Sequence, residues 1–397
     1  MLAPEPFFEP RGTPFSEFHR IRALTELGHE VDLVTYPFGQ DVSIPGLRTF
    51  RSLRPPFVRE VKIGPSLAKL PLDAFLALTA IRRALSGRYD LIHSHEEAGV
   101  LGVVLAALLR VPHVYDMHSS LPEQLTNFAF SRSRLLRGFF AGVERLMIRW
   151  SRVVIVICPS LENAVRAIDR EARVVLIENA PGSVDGEATS EDAATVRQAA
   201  GFQPATPVIV YTGTFEAYQG LDMLFEAMAL VGRRCPDARL LLAGGKLQQL
   251  ERARAHARAA GIGDRTVFAG ERPANEVPAY LRAANILVSP RSRGTNTPLK
   301  IYQYLRSGRP IVATRRLTHT QVLDDETAIL TEPSAHGLSE GILAALEDPQ
   351  RATRISRAAS LLAQTKYSYG AYLDRTRLAY AAVTDPADGV GGVKDVA

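Results

Sequence analysis

The chain has 397 residues, 46% hydrophobic and 22% charged, and 47 basic against 42 acidic side chains leave a formal net charge of +5. At roughly 150 residues per domain this favours two domains, each with enough material for a core, and the composition excludes disordered, collagen-like and disulfide-scaffold chains. Cys158 and Cys235 lie far apart and each beside a proline, so no disulfide framework or CxxC metal motif is available, and a reducing cytoplasm is the default. No stretch approaches about 18 uninterrupted apolar residues, and the start lacks a charged leader followed by an apolar run. Neither a membrane span nor a signal is therefore expected.

Short β-branched runs alternate with longer helical patterns, which predicts parallel sheets built from βα units. Only Met1, Leu2 and Ala3 precede the first proline, so the first strand is either a stub or continues upstream. Arg11-Gly12-Thr13-Pro14 then opens a helix. Thr13 suits the N-cap and Pro14 the first helical position, which leaves backbone N–H groups and the positive dipole end open to an anion. Gly28-His29-Glu30 turns the helix into a strand, VDLVTY (31–36). Residues 42–88 follow with nine basic and two acidic side chains, a local balance of +7.

The strands DLIHSH (90–95) and HVYDMH (113–118) end on His95 and His118, and strand alternation puts His93 and His95 on one face. Three histidines suit a catalytic zinc, with Glu96, Glu97 and Asp116 the acids nearby. Packing and capping is the plainer role for strand-end histidines. His118, at the C-terminal end of a strand where ligand crevices form in α/β sheets, carries the stronger functional reading. The segment 131–153 holds six arginines against one acid, Glu144, interleaved with large apolar residues such as Leu135, Phe139, Leu146 and Trp150. That pattern fits a basic amphipathic helix on an anionic bilayer, and equally a core helix with a solvated face. The +7 segment in the same half favours the membrane surface. Nucleic acid is not expected, because no aromatic-rich reading module accompanies the charge.

Strands VVIVIC (153–158) and VVLIEN (174–179) complete a first domain, residues 1–180. An Ala/Gly/Ser/Thr/Pro-rich stretch, 181–206, reads as a linker containing one short helix. The second domain, 207–366, carries strands VIVYTG (208–213), ARLLLAG (238–244), TVFAG (266–270), NILVSP (285–290) and PIVAT (310–314). A tyrosine-studded helix, 367–384, precedes a Gly-rich tail, 385–397, expected to be mobile. Within the second domain Arg293-Gly294-Thr295-Asn296-Thr297-Pro298 repeats the Thr-then-Pro helix opening. Lys300 falls in the first helical turn, where a cation opposes the dipole. A bound phosphate would reverse that penalty, and Arg291 and Arg293 stand beside it. No GxGxxG or GxxxxGK[ST] loop is present, so NAD enzymes and P-loop NTPases lose support.

A Gly-containing N-terminal loop is followed in order by LxxLGHEVDLVT, VYDMHSS, YTGTFEAYQGLDMLFEAM, LLLAGG, VFAGERPANEVPAYLRAANILVSP and PLKIYQYLRSGRPIVAT. Taken together these motifs resemble glycosyltransferase family 4. The resemblance implies an α/β fold of the GT-B kind: two Rossmann-like domains facing across a cleft, with the last helix crossing back to the first domain. It implies a retaining, metal-independent hexosyl transfer from a nucleotide diphosphate sugar, with no cofactor. By the same resemblance the diphosphate lies against Asn296, Thr297, Leu299 and Lys300, with Gly12 and Arg11 from the first domain and Arg293 close by. His118 addresses the donor sugar, and Glu271 and Arg272 contact the nucleobase.

Four positions depart from the family pattern. Thr214 and Gln219 stand where Arg and Lys are usual, and Thr295 and Gln303 occupy the catalytic positions of a usual Glu-x7-Glu pair. Losing two cations weakens a diphosphate site, since each charge-assisted hydrogen bond is worth about 1.5–3 kcal/mol. Lys300, Arg291, Arg293 and Arg11 offer replacement charge, and Gln303 keeps the length and acceptor oxygen of a glutamate. The expected function is a retaining glycosyltransferase whose acceptor is lipid-linked or an envelope glycan precursor, placed in the cytoplasm and peripheral on the inner face of the membrane. Two alternatives stand beside it. One is a catalytically degenerate sugar-nucleotide binder or partner subunit, motivated by the four uncharged positions. The other is a metal-dependent hydrolase using His93, His95 and His118.

Overall fold

A computed structural model describes residues 1–9, 12–59, 61, 69–122, 133–179 and 188–384. The chain forms two units, one of Met1–Glu178 with Tyr372–Ala397 and one of Asn179–Ala371. The tail expected to be mobile, Arg11, and the start of the arginine-rich segment lie outside the described residues.

The first unit is built on a seven-stranded parallel sheet: β1 (Leu2–Ala3), β2 (Val31–Thr35), β3 (Leu47–Arg51), β4 (Ile92–His95), β5 (His113–Met117), β6 (Val153–Val156) and β7 (Val174–Leu176), in the order β3-β2-β1-β4-β5-β6-β7. The stub β1 is central, with Leu2 paired to both Val34 and Ser94. Strands β2, β4, β5 and β6 are buried along their whole length, as two-sided parallel strands are; β6 reads as a continuous apolar run, while β4 and β5 bury His93, His95 and Asp116 as well. The strand order reverses at β1, so right-handed crossovers send α1 (Gly12–Glu26) to one face of the sheet. They send α2 (Lys69–Ser86), α3 (Gly99–Leu109), α4 (Arg134–Trp150) and α5 (Pro159–Ile168) to the other. On that second face α2 packs against α3 and α3 against α4. Side chains alternate accordingly: Tyr115 and Met117 enter the core with Met147 and Ile148 of α4, while Asp116 points to the face of α1.

Two corrections concern this unit. β3 was not expected: its sequence LRTFR is an edge strand, half-exposed and charged, so it lacks the apolar run that marked its neighbours. The +7 segment is also not a free positive surface. Asp32 accepts from Arg48 at 2.6 Å, from Tyr89 at 2.8 Å and from Arg83 at 3.3 Å. Arg51 spans the carbonyl oxygens of Phe7 (2.6 Å) and Gln40 (2.9 Å), and Lys69 pairs with Glu97 at 2.9 Å. Four of its cations thus hold the fold.

The second unit carries a six-stranded parallel sheet, ordered β10-β9-β8-β11-β12-β13. Its strands are β8 (Val208–Thr212), β9 (Arg239–Ala243), β10 (Thr266–Gly270), β11 (Ile286–Ser289), β12 (Ile311–Thr314) and β13 (Ile329–Thr331). The three-residue edge strand β13 was likewise missed. The helix expected inside the linker is α6 (Ser190–Ala199), opened by a reciprocal Thr189–Asp192 capping box. It belongs to this unit, packing against α9 (Val277–Ala283). The remaining helices are α7 (Leu221–Arg234), α8 (Leu247–Ala259), α10 (Leu299–Arg306), α11 (Leu317–Thr320), α12 (Ala335–Glu347) and α13 (Pro349–Thr365). The last helix, α14 (Tyr369–Thr384), joins the first unit from Tyr372 onward.

Candidate functional site

In the second unit three loops converge at the C-terminal ends of β8, β9 and β11. Glycines make this possible. Gly244 has φ +129°, and a Cβ there would lie 2.0 Å from the Gly213 carbonyl oxygen; Gly220, at φ +74°, would set one 2.2 Å from that of Pro290. Only a residue without a side chain fits either place. The loops thereby deliver Thr214 and Gln219 to the start of α10. There Lys300, 7% exposed, lays its Nζ 3.7 Å from the centre of the Tyr211 ring and donates to Gln219 Oε1 at 3.3 Å. Gln219 Nε2 donates in turn to Thr214 Oγ1 at 3.4 Å.

Among the described residues this ammonium is poorly served, with one neutral acceptor and one ring face. Burial, with the Arg291 guanidinium as a second cause, pushes its pKa well below the ordinary lysine value. Arg291 is itself held over the Tyr218 ring at 5.0 Å and donates to the Arg293 carbonyl oxygen at 2.9 Å. Two cations and a helix start therefore share one corner, and the N-cap residue of α10, Pro298, supplies no side-chain cap.

The expected opening of that helix is shifted by one residue. Pro298 is the N-cap, at φ −66° and ψ 134°, not the first helical residue. A residue before proline is driven out of the helical region, so Thr297 lies outside the helix. It caps nothing, and its Oγ1 is buried without a partner. The first-domain opening is corrected in the opposite direction: α1 already begins at Gly12, φ +53°, placing Thr13 and Pro14 inside its first turn.

The other expected residues scatter. Asn296 and Leu299 are half-buried at the same helix start, and Thr295 presents its carbonyl oxygen to Gln321 Nε2 at 2.7 Å. Gln303 is half-buried one turn beyond Lys300, and Arg293 is exposed. Glu271 and Arg272 are exposed on the turn after β10, where Arg272 Nε folds back on the Ala269 carbonyl oxygen at 3.0 Å.

A second cluster sits in the first unit. Asp116, fully buried, is its hub. Arg20 Nε lies 3.1 Å from Asp116 Oδ2, His93 Nε2 3.5 Å and His95 Nδ1 3.9 Å, while His118 Nε2 is 3.3 Å from Oδ1 and 3.2 Å from His95 Nδ1. Arg20 Nη1 also donates to Thr376 at 3.1 Å and its guanidinium lies over Tyr372; His93 Nδ1 meets the Tyr380 hydroxyl. Arg20 and His118 hold the Asp116 carboxylate well below the usual range against its burial, and burial pushes His93 and His95 down. Burial raises Glu17, and pushes Glu96, which accepts from Ser119 Oγ at 3.0 Å, up to about 8.

His93, His95 and Asp116 offer ligand atoms within 4.8 Å of one another. Arg20 decides against reading them as a metal seat: a divalent ion there would share a carboxylate with a buried guanidinium, and like charges in low dielectric repel strongly. The partners Arg20, Tyr372, Thr376 and Tyr380 were missed from sequence. The one available signal was the i, i+4, i+8 spacing of the last three.

Residues 206–348 match the family model described as glycosyl transferases group 1, and residues 19–180 match that of the glycosyl transferase 4-like domain. Among curated proteins, the chain is 27% identical over 290 residues to D-inositol 3-phosphate glycosyltransferase of Corynebacterium jeikeium, covering 70% of this chain and 68% of that one. Among solved structures it is similar to sucrose-phosphate synthase from Thermosynechococcus elongatus, with a TM-score of 0.78 at 21% identity over 96% of this chain and 97% of that one. It is also similar to Anabaena HepE in complex with UDP, with a TM-score of 0.74 at 18% identity over 96% and 98% of the two chains. The paired parallel-sheet units, the two matched domains and these relatives make the chain a glycosyltransferase of the group 1, family 4-like kind, with the GT-B fold.

Proposed function

We propose that this glycosyltransferase takes a nucleoside diphosphate sugar as donor and seats the diphosphate at the start of α10, on Lys300, with Thr214, Gln219, Asn296 and the backbone at Thr297 and Leu299 around it. The observation that carries this is the buried Lys300 ammonium, which among the described residues has a single neutral hydrogen-bond acceptor, at a helix start whose N-cap residue is a proline with no side-chain cap. Such a group gains most from an incoming anion. HepE, solved with UDP, supports the same donor class.

In the retaining transfer, the bond from the anomeric carbon to the leaving phosphate oxygen breaks. The acceptor oxygen bonds to the same face, and its proton passes to the departing phosphate. Charge developing on that phosphate is met by Lys300 and the amides at the helix start. His118, Thr295 and Gln303 are the proposed sugar contacts, Gly12 and Arg293 further phosphate contacts, and Glu271 and Arg272 the nucleobase contacts. The step requires no metal from the histidine cluster, whose carboxylate is already paired with Arg20. The proposed acceptor is lipid-linked, or an envelope glycan precursor, presented at the inner face of a membrane; no helix among the described residues is long and apolar enough to cross one.

The uncharged quartet Thr214, Gln219, Thr295 and Gln303 favours a second reading, donor binding without transfer. A thermal-shift panel of UDP, GDP and ADP with their sugars addresses the first half. At about 100 times Kd the true ligand adds about 2.7 kcal/mol of stability, and no response to any nucleotide would overturn both readings. Slow release of free sugar from the responding donor is the expected mark of an enzyme; binding without release would leave the binder.

A further inference from the structure

We infer that α2, α3 and α4 together form a membrane-docking surface for anionic lipid, a face much broader than the arginine-rich helix alone. This deepens the acceptor reading above and is independent of how the donor is held. Of the eighteen large hydrophobic side chains exposed among the described residues, eleven lie on these three helices, which are neighbours on one face of the first sheet. Scattered exposed apolar residues need no explanation, but a patch of this concentration marks an interaction surface.

Each helix shows the same construction. α2 buries Leu72, Leu76, Ala80 and Ala84 against the sheet, and on its opposite side exposes Leu70, Leu78, Ile81 and Leu85. A helix apolar on two sides has two apolar environments. α3, GVLGVVLAALL, contains no polar side chain at all, so whatever it turns outward is apolar; Val100, Val104 and Leu108 are exposed, the last by 74%. α4 exposes Leu135, Phe139, Leu146 and Trp150 at i, i+4, i+11 and i+15, which is one stripe.

The charges around these stripes select the occupant. Arg82 on α2, Arg110 at the end of α3, and Arg134, Arg137, Arg145 and Arg149 on α4 are all exposed. The acids on these helices are withdrawn: Asp73 is half-buried and accepts from the Tyr36 hydroxyl, and Glu144 is buried, accepting from the Leu121 amide at 2.7 Å. No exposed acidic side chain therefore remains on any of the three. A second copy of this chain is a poor partner, since a two-fold contact would set these arginines against their own equivalents. An anionic bilayer satisfies both properties at once, taking the stripes among its acyl chains and the arginines among its phosphates, with Trp150 at the boundary.

The test is vesicle flotation of the full chain. Vesicles of phosphatidylcholine with about 30% phosphatidylglycerol are expected to capture the protein roughly tenfold better than phosphatidylcholine alone, with the advantage lost at about 0.5 M salt. The pair Val104→Glu with Leu108→Glu on α3, which carries no arginine of its own stripe, is expected to reduce capture roughly tenfold. Its melting temperature and its stabilisation by nucleoside diphosphate should stay at the wild-type values, which separates lost docking from lost folding or lost donor binding. Failure of the wild type to float at low salt would overturn the proposal. So would unchanged capture of the α3 variant, which would return docking to α4 alone. A dimer in solution that the α3 variant dissociates would also overturn it, by making the partner a second copy.

Discussion

Lys300→Ala is expected to weaken nucleoside diphosphate binding roughly 10- to 150-fold, the equivalent of one charge-assisted hydrogen bond of about 1.5–3 kcal/mol. Turnover should fall with it, because the same ammonium meets the charge that develops on the leaving phosphate. The folded protein should not suffer in parallel. In the free state the ammonium is buried, its pKa lowered by desolvation and by Arg291, so its removal relieves a cost. Lys300→Met, which keeps the volume over Tyr211, should melt at or above the wild-type temperature while binding as weakly as the alanine variant. A phosphate guest also favours the protonated lysine, so binding draws in a proton wherever the free group is neutral. Affinity measured by calorimetry should accordingly fall as pH rises through the depressed lysine pKa. Wild-type affinity in Lys300→Ala would mean that the diphosphate sits elsewhere.

Asp116→Asn should produce the largest stability effect. The carboxylate compensates a guanidinium that is 1% exposed and sits 3.1 Å away, and removing one partner of a buried pair typically costs about 3–5 kcal/mol. For a unit of this size the melting temperature should drop on the order of 10 °C. The sign of the pH dependence follows from the depressed carboxylate pKa. The wild type has this stability in full above the unfolded-state value and loses it as pH falls toward the folded value; the asparagine variant should lack that component. Adding Arg20→Met to Asp116→Asn should recover much of the loss, because the stranded charge goes with it. A variant that melts like the wild type would show that Arg20 finds other compensation.

Most strands of both sheets were legible because buried parallel strands advertise themselves as apolar runs, as in VVIVIC and VIVYTG. β3 escaped because it is a half-exposed edge strand with two arginines in five residues, and β13 because it is only three residues long. The donor corner was legible in part. Lys300 stood out as a cation on the wrong end of a helix dipole, but its contacts with Tyr211 and Gln219 bridge 89 and 81 residues of sequence. The histidines and Asp116 were grouped from their strands, but the other partners of the hub were invisible for the same reason: Arg20 lies 96 residues from Asp116 and 356 from Thr376, and His93 lies 287 from Tyr380. Charge counting over residues 42–88 could not tell which cations are taken up inside the fold, where Asp32 pairs with Arg48 and Arg83. Local pattern reports which face a side chain takes, and it is silent on which distant group meets it there.

A crystal structure with the nucleoside diphosphate that stabilises the protein is the most direct measurement. Phosphate oxygens should appear about 3 Å from Lys300 Nζ and from the first amides of α10, with the ammonium drawn off Gln219. A diphosphate ordered at another place, while Lys300 still rests on Tyr211 and Gln219, would contradict the phosphate seat.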